Sequence, residues 1–238
     1  MSANPEETRF QLDYWPIPFR GSFISFLFAY REVPLLECSG LDENVALKNA
    51  PLHEQSVPYI GPPVLHDRQT GTSLSQMPAI VLYAADILDL MPKGSFARAM
   101  ALKILMDCND LLMEISRYNG SDMWDRDAWR EFRDARLPRW LGVFEESLRR
   151  EYLGRTPVSF ADISVFALFG TLIRCLPQLE SDILEHAPGI HALCERIGAT
   201  PSLRRCVARQ RENYGELYCG GLIEKLLRAM LADDESER

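Results

Sequence analysis

The stretch LDYWPIPFRGSF, residues 12–23, brings three hydrogen-bond donors of different kinds to one strand-to-helix turn. Tyr14 carries a phenol, Trp15 an indole N–H and Arg20 a guanidinium. A turn by itself requires none of these, because Gly or Asn closes one with less bulk. Each can donate a hydrogen bond. A phenol with a pKa of about 10 stays a neutral donor at neutral pH, and arginine stays charged. The helix that opens after the turn adds unpaired N–H groups and the positive end of its dipole. Ser22, at the opening of that helix, is a rival hydroxyl donor. On the residues alone a plainer role fits as well, with Tyr14 as a strand-end anchor and Arg20 as a solvated turn residue.

Other reactive side chains form no second centre. The six cysteines, at 38, 108, 175, 194, 206 and 219, include no C-x-x-C pair, so neither a zinc site nor a dithiol redox centre is expected. Several lie inside apolar helical patterns, where a free Cys packs as a small core residue. None of the four histidines has a partner at metal-ligand spacing, and no metal is expected. Ser159, three residues before Asp162, reads as a capping box at the head of an apolar helix, worth about 1 kcal/mol.

The chain around these residues is 238 long, 47% hydrophobic and 25% charged, with a net charge of −8. Scattered lysines and arginines on an acidic chain exclude a nucleic-acid surface. No apolar run approaches the roughly 20 residues that span a bilayer. The opening MSANPEETRF lacks the apolar core of a signal peptide. A cytoplasmic protein without membrane partners is expected.

Two halves with different patterning follow. Residues 9–92 read as β-α-β-(α)-β-β-α. A strand lies near 9–15, a helix near 21–32 and a strand in PLLECSG. Residues 41–56 are irregular with weak helical character. A hairpin has strands at 63–66 and 72–75 around DRQTG, and a helix in MPAIVLYAADILDL carries Pro78 in its first turn. Beyond Pro92–Gly94 the strands vanish. SFARAMALKILMDCNDLLMEISR forms a long helix with Ser95 as N-cap, a second long helix is bent at Pro138, and SFADISVFALFGTLIRCL is apolar nearly all round. The expected domains are 1–92 and 95–238.

This order resembles the soluble, cytosolic glutathione transferases through nearly the whole chain. Tyr14-Trp15 followed by Arg20-Gly21 is similar to the signature of the tyrosine-type mu and sigma classes, with Pro18 and Phe19 as two extra residues, as in a divergent or bacterial-type member. PPVLHD resembles the family's Pro-x-Leu strand with its cis proline, here Pro63. LSQMPAIVLYAA is similar to the Gln-Ser-x-Ala-Ile helix start, and RLPRWLGVFEESL and YLGRTPVSFADISVF resemble helices of the second domain. The resemblance implies a thioredoxin-like glutathione-binding domain, α/β, followed by an all-helical substrate-binding domain. It implies glutathione as co-substrate, conjugation to small, mostly apolar electrophiles in detoxification, and a homodimer.

The resemblance also assigns residues. Tyr14, with Ser22 as the alternative, stabilises the thiolate. Trp15 and Arg20 meet a glutathione carboxylate. The residue before the cis proline pairs its N–H and C=O with the cysteinyl part of the peptide; here it is Pro62, which has no N–H, at a loss of about 0.5–1.5 kcal/mol. The pair that holds the γ-glutamyl carboxylate is Gln76-Met77, without the hydroxyl, and Ser75 is a substitute one residue off. Asp110, or Asp107, reaches the amino group across the dimer. Phe19, Met113, Arg117 and Trp124 line the electrophile pocket. Pro62 and Met77 also suit a non-catalytic ligand-binding protein or a dimeric interaction module of the same fold.

Overall fold

In the computed structural model, which describes residues 7–237, the alternation of Phe10 and Leu12 with Gln11 becomes strand β1 (Phe10–Asp13). Helix α1 (Gly21–Tyr30) then crosses to β2 (Leu35–Cys38), and the two strands pair in parallel, as a helical crossover requires. A nine-residue helix, α2 (Leu41–Asn49), occupies the start of the stretch that reads as irregular. The hairpin forms as expected from β3 (Val64–Asp67) and β4 (Thr72–Ser75), followed by α3 (Met77–Ile87). The four strands run in the order β2-β1-β3-β4, with β3 antiparallel to both neighbours.

Phe23, Ile24, Phe26, Leu27 and Phe28 on α1 are each at most 1% exposed. They are buried from more than one side. α1 packs on α3, and it also packs on the helix Pro201–Tyr214, far along the chain. Residues 199–215 therefore group with the α/β unit, and the helical unit comprises residues 92–198 together with the segment from 216. That differs from a linear division at 92. The return is held by Ser22 Oγ against Gln210 Oε1 at 3.3 Å and by Arg205 Nη2 on Glu32 at 2.6 Å.

The helical unit opens with α4 (Ser95–Ile115), whose N-cap is Gly94 with φ of 91°. The expected Ser95 cap is corrected by one residue: Ser95 is the first helical residue. Next come α5 (Arg126–Glu131) and α6 (Leu137–Arg149), joined by a π-helical turn, Phe132–Arg136. Pro138 sits in the first turn of α6, where its missing N–H is tolerated. α7 (Phe160–Val165) begins at the Ser159–Asp162 capping box and continues through a second π-helical turn into α8 (Thr171–Cys175). α9 (Glu180–His186), α10 (Pro188–Gly198), α11 (the returning Pro201–Tyr214) and α12 (Gly221–Glu237) complete the chain. Among the described residues no single helix is long and apolar enough to cross a membrane.

Candidate functional site

Tyr14 follows β1 directly, and its ring packs against the opening of α1 at Gly21. A Cβ on Gly21 would stand 2.6 Å from Tyr14 Cδ1, so only glycine lets the ring approach this closely. The Arg20 N–H, at the N-cap of α1, donates to Tyr14 Oη at 3.0 Å. Accepting that bond polarises the phenol and makes its own O–H a stronger donor. Helix α1 has no side-chain cap, so the phenol oxygen sits where the unscreened helix end favours negative charge.

The rival hydroxyl is placed differently. Ser22 is 0% exposed, and its Oγ donates to the Pro18 carbonyl at 3.0 Å and faces Gln210. Trp15 is half-buried beside Tyr14. Arg20 lays its guanidinium over the Phe19 ring, 4.8 Å from the centroid, and Phe19 beneath it is buried. The two extra residues of the turn thus include the ring on which Arg20 rests.

A second set gathers at the start of α3. The Pro62–Pro63 peptide bond is cis. Gln76, exposed, has φ of 71°, a left-handed conformation that costs a non-glycine residue roughly 1–3 kcal/mol and is typical of binding sites. Its neighbour Met77 is 1% exposed, so the position that lacks the expected hydroxyl points into the core. The first turn of α3 offers backbone N–H groups at Met77 and Ala79, with Pro78 between them supplying none.

The sheet carries polar groups that local patterning does not reveal. His66 Nε2 lies 2.9 Å from Asp13 Oδ2 and its Nδ1 2.8 Å from Ser73 Oγ, a chain across three strands. Burial alone would raise the Asp13 carboxyl, but hydrogen bonds from His66 and Gln11 hold it below its usual range. Burial and the Asp13 carboxylate together push the Cys38 thiol up. Asp67, whose side chain is 1% exposed, takes a two-pronged bond from Arg9 and a third from the Tyr83 hydroxyl at 2.9 Å. The Arg9 guanidinium holds that carboxyl well below the usual carboxylate range against the effect of burial.

On the helical unit, Asp110 is exposed on α4 and Asp107 is paired with Lys103. Burial pushes the Asp107 carboxyl up, against the pull of Lys103. Met113 is half-buried. Arg117 begins a run of three non-glycine residues with positive φ, Arg117, Tyr118 and Asn119. Its guanidinium pairs with Asp122 at 2.6 Å and lies 4.9 Å from the Trp124 ring centroid. Trp124 itself is 4% exposed, packed on Trp129 and Phe132, with its indole N–H on the Ile115 carbonyl at 3.1 Å. It is a core residue of this unit. Among the described residues no group of three or more His, Cys, Asp or Glu is placed to hold a metal ion. Desolvation pushes the buried thiols of Cys108, Cys175 and Cys194 up, the last to about 12.

The fold has close counterparts. The chain is similar to prostaglandin synthase D of Nilaparvata lugens (19% identity, 84% of this chain and 98% of that one, TM-score 0.70). It is similar to a Pi-class glutathione S-transferase of Onchocerca volvulus (18%, 90% and 98%, TM-score 0.69), and to monomeric Na-GST-3, a glutathione S-transferase of the hookworm Necator americanus (21%, 84% and 97%, TM-score 0.68). No curated protein sequence matches it. The family model for the glutathione S-transferase C-terminal domain matches residues 100–230, more than half of the chain. A glutathione S-transferase fold with that match over its helical half places the chain in the glutathione S-transferase family.

Proposed function

We propose that this chain is a working glutathione transferase, which binds glutathione, keeps its sulfur as the thiolate and adds it to small, mostly apolar electrophiles. The placement of Tyr14 Oη at the head of α1, with the Arg20 N–H donating to it, carries the proposal. A free thiol with a pKa of about 8.5 is only a few per cent thiolate at neutral pH. Bringing it to about 6.5 requires roughly 2.7 kcal/mol of preference for the anion. One good hydrogen bond to a charged acceptor contributes about 1.5–3 kcal/mol. Tyr14 is the donor in preference to Ser22, whose hydroxyl is buried on a main-chain carbonyl.

In the proposed reaction the thiol proton leaves to solvent, sulfur forms a bond to the electrophilic carbon, and that carbon releases its leaving group. Trp15 and Arg20 take one peptide carboxylate. Gln76 and the first-turn N–H groups of α3 take the other. The Pro62 carbonyl accepts the cysteinyl N–H, and Asp110 serves the amino group. Met113 and Arg117, on the helical unit, are the proposed contacts for the electrophile. A cytoplasmic homodimer completes the proposal.

The test is conjugation of chlorodinitrobenzene by the natural chain and by Tyr14→Phe. A fall of about 10- to 150-fold in the variant is the expected result. Equal rates would remove Tyr14 from the mechanism and return the role to Ser22. The second reading is a ligand-binding protein without turnover, favoured by Pro62, Met77 and Pro78, which together thin out the donors for the peptide. Calorimetry that detects glutathione binding without conjugation would establish it.

A further inference from the structure

Helix α2 is attached to its unit in an unusual way. Leu41, Val45 and Leu47 are 39–55% exposed, and the one buried residue of the helix is polar, Asn44, at 3%. Its amide nitrogen donates to three main-chain carbonyls: Gly40 at 2.8 Å, Tyr14 at 3.0 Å and Cys38 at 3.2 Å. The Cys38 carbonyl also accepts the Tyr14 N–H at 3.1 Å. Both main-chain polar groups of Tyr14 are therefore fixed through Asn44 or through a carbonyl that Asn44 holds. The Tyr14 side chain, in turn, has little play, because its ring rests on Gly21.

We infer that Asn44 is a positioning residue for Tyr14, setting where the phenol oxygen stands at the head of α1. A side chain needed only to attach α2 would be expected to be apolar, since burying an amide is unfavourable without full hydrogen bonding. Here one of the three bonds goes to the Tyr14 carbonyl and a second to the Cys38 carbonyl that accepts the Tyr14 N–H. This inference rests on the proposed role of Tyr14. The side chains of Asp13, Cys38 and Tyr59, with His66 hydrogen-bonded to Asp13, lie in the same unit and are common to all variants below.

The experiment measures the pH dependence of kcat/KM for chlorodinitrobenzene, and the thiolate absorbance of the glutathione complex, in four proteins: natural, Asn44→Ala, Tyr14→Phe and the double variant. Asn44→Ala should lower kcat/KM about tenfold at neutral pH and recover at alkaline pH, where the thiol ionises unaided. Added to Tyr14→Phe it should cost nothing more, because both changes remove one interaction. Tyr83→Phe, which weakens the same sheet through Asp67, controls for general destabilisation and should leave the thiol titration in place. Asn44→Ser keeps one donor and should lie between the natural chain and Asn44→Ala, which covers the case in which the alanine variant fails to fold. A loss equal at every pH, or one that multiplies with Tyr14→Phe, overturns the inference. Tyr14→Phe without effect overturns the mechanism itself, whereas an effect of Tyr14→Phe alone sinks only the role of Asn44.

Discussion

Two helix starts in the α/β unit, to which the proposed mechanism gives the same task of holding negative charge, are built in opposite ways. At α1 the phenol of Tyr14 is fixed from every direction, by Gly21 beneath the ring, by the Arg20 N–H at the oxygen and by Asn44 at the backbone. At α3 there is little construction. Gln76 is exposed in a strained conformation, Met77 faces the core, Pro78 has no N–H, and Pro62 nearby has none either. An activating contact acts on one atom and fails when displaced by a fraction of an ångström. An anchoring contact spreads over several atoms and tolerates the loss of one. The difference teaches that, in the proposed mechanism, the activating end is held by several contacts at once and the anchoring end by few.

The contrast can be broken most sharply at Gly21. Gly21→Ala forces the Tyr14 ring off the helix, and conjugation at neutral pH should fall about 100-fold, close to Tyr14→Phe; a rate near that of the natural chain would show that the close approach is packing alone. Damage elsewhere in the unit should look different. Asp67→Asn loses charge-assisted bonds worth about 2 kcal/mol and should lower the melting temperature at neutral pH with little change in glutathione affinity. The Asp67 carboxyl is held down in the folded chain, so its contribution is present above the unfolded value of about 4 and disappears as pH falls through the lower folded value. Melting curves of the two proteins should therefore converge below about pH 4. The smallest effect sharpens the picture at the other helix start. Pro62→Ala restores the N–H and should tighten glutathione about two- to tenfold in calorimetry, leaving the thiol titration unmoved.

Much of the architecture was legible because it is written locally. Alternation marked β1, the DRQTG turn marked the hairpin, and Ser159 with Asp162 marked the buried helix. The donors Tyr14, Trp15 and Arg20 stood out by type. What stayed hidden depends on residues far apart in the chain. Asn44 lies in LDENVALKN, a stretch polar enough to look like surface, and only the fold shows that it is buried. Asp13, His66 and Ser73 sit on three strands whose order no local pattern gives. The resemblance puts Trp124 in the pocket lining, whereas its burial against Trp129 and Phe132 makes it core. Gly94 takes the cap from Ser95 because the chain reaches α4 through a φ of 91°, a conformation that glycine adopts readily.

The return of α11 to α1 has a consequence for how this protein is made and cut. Residues 92–198 must leave the ribosome before Gln210 exists to cover Ser22. A nascent chain carrying the whole sheet still shows one flank of its most apolar helix to water, a surface that invites sticking to other chains. An N-terminal fragment ending near residue 92 inherits the same exposed flank.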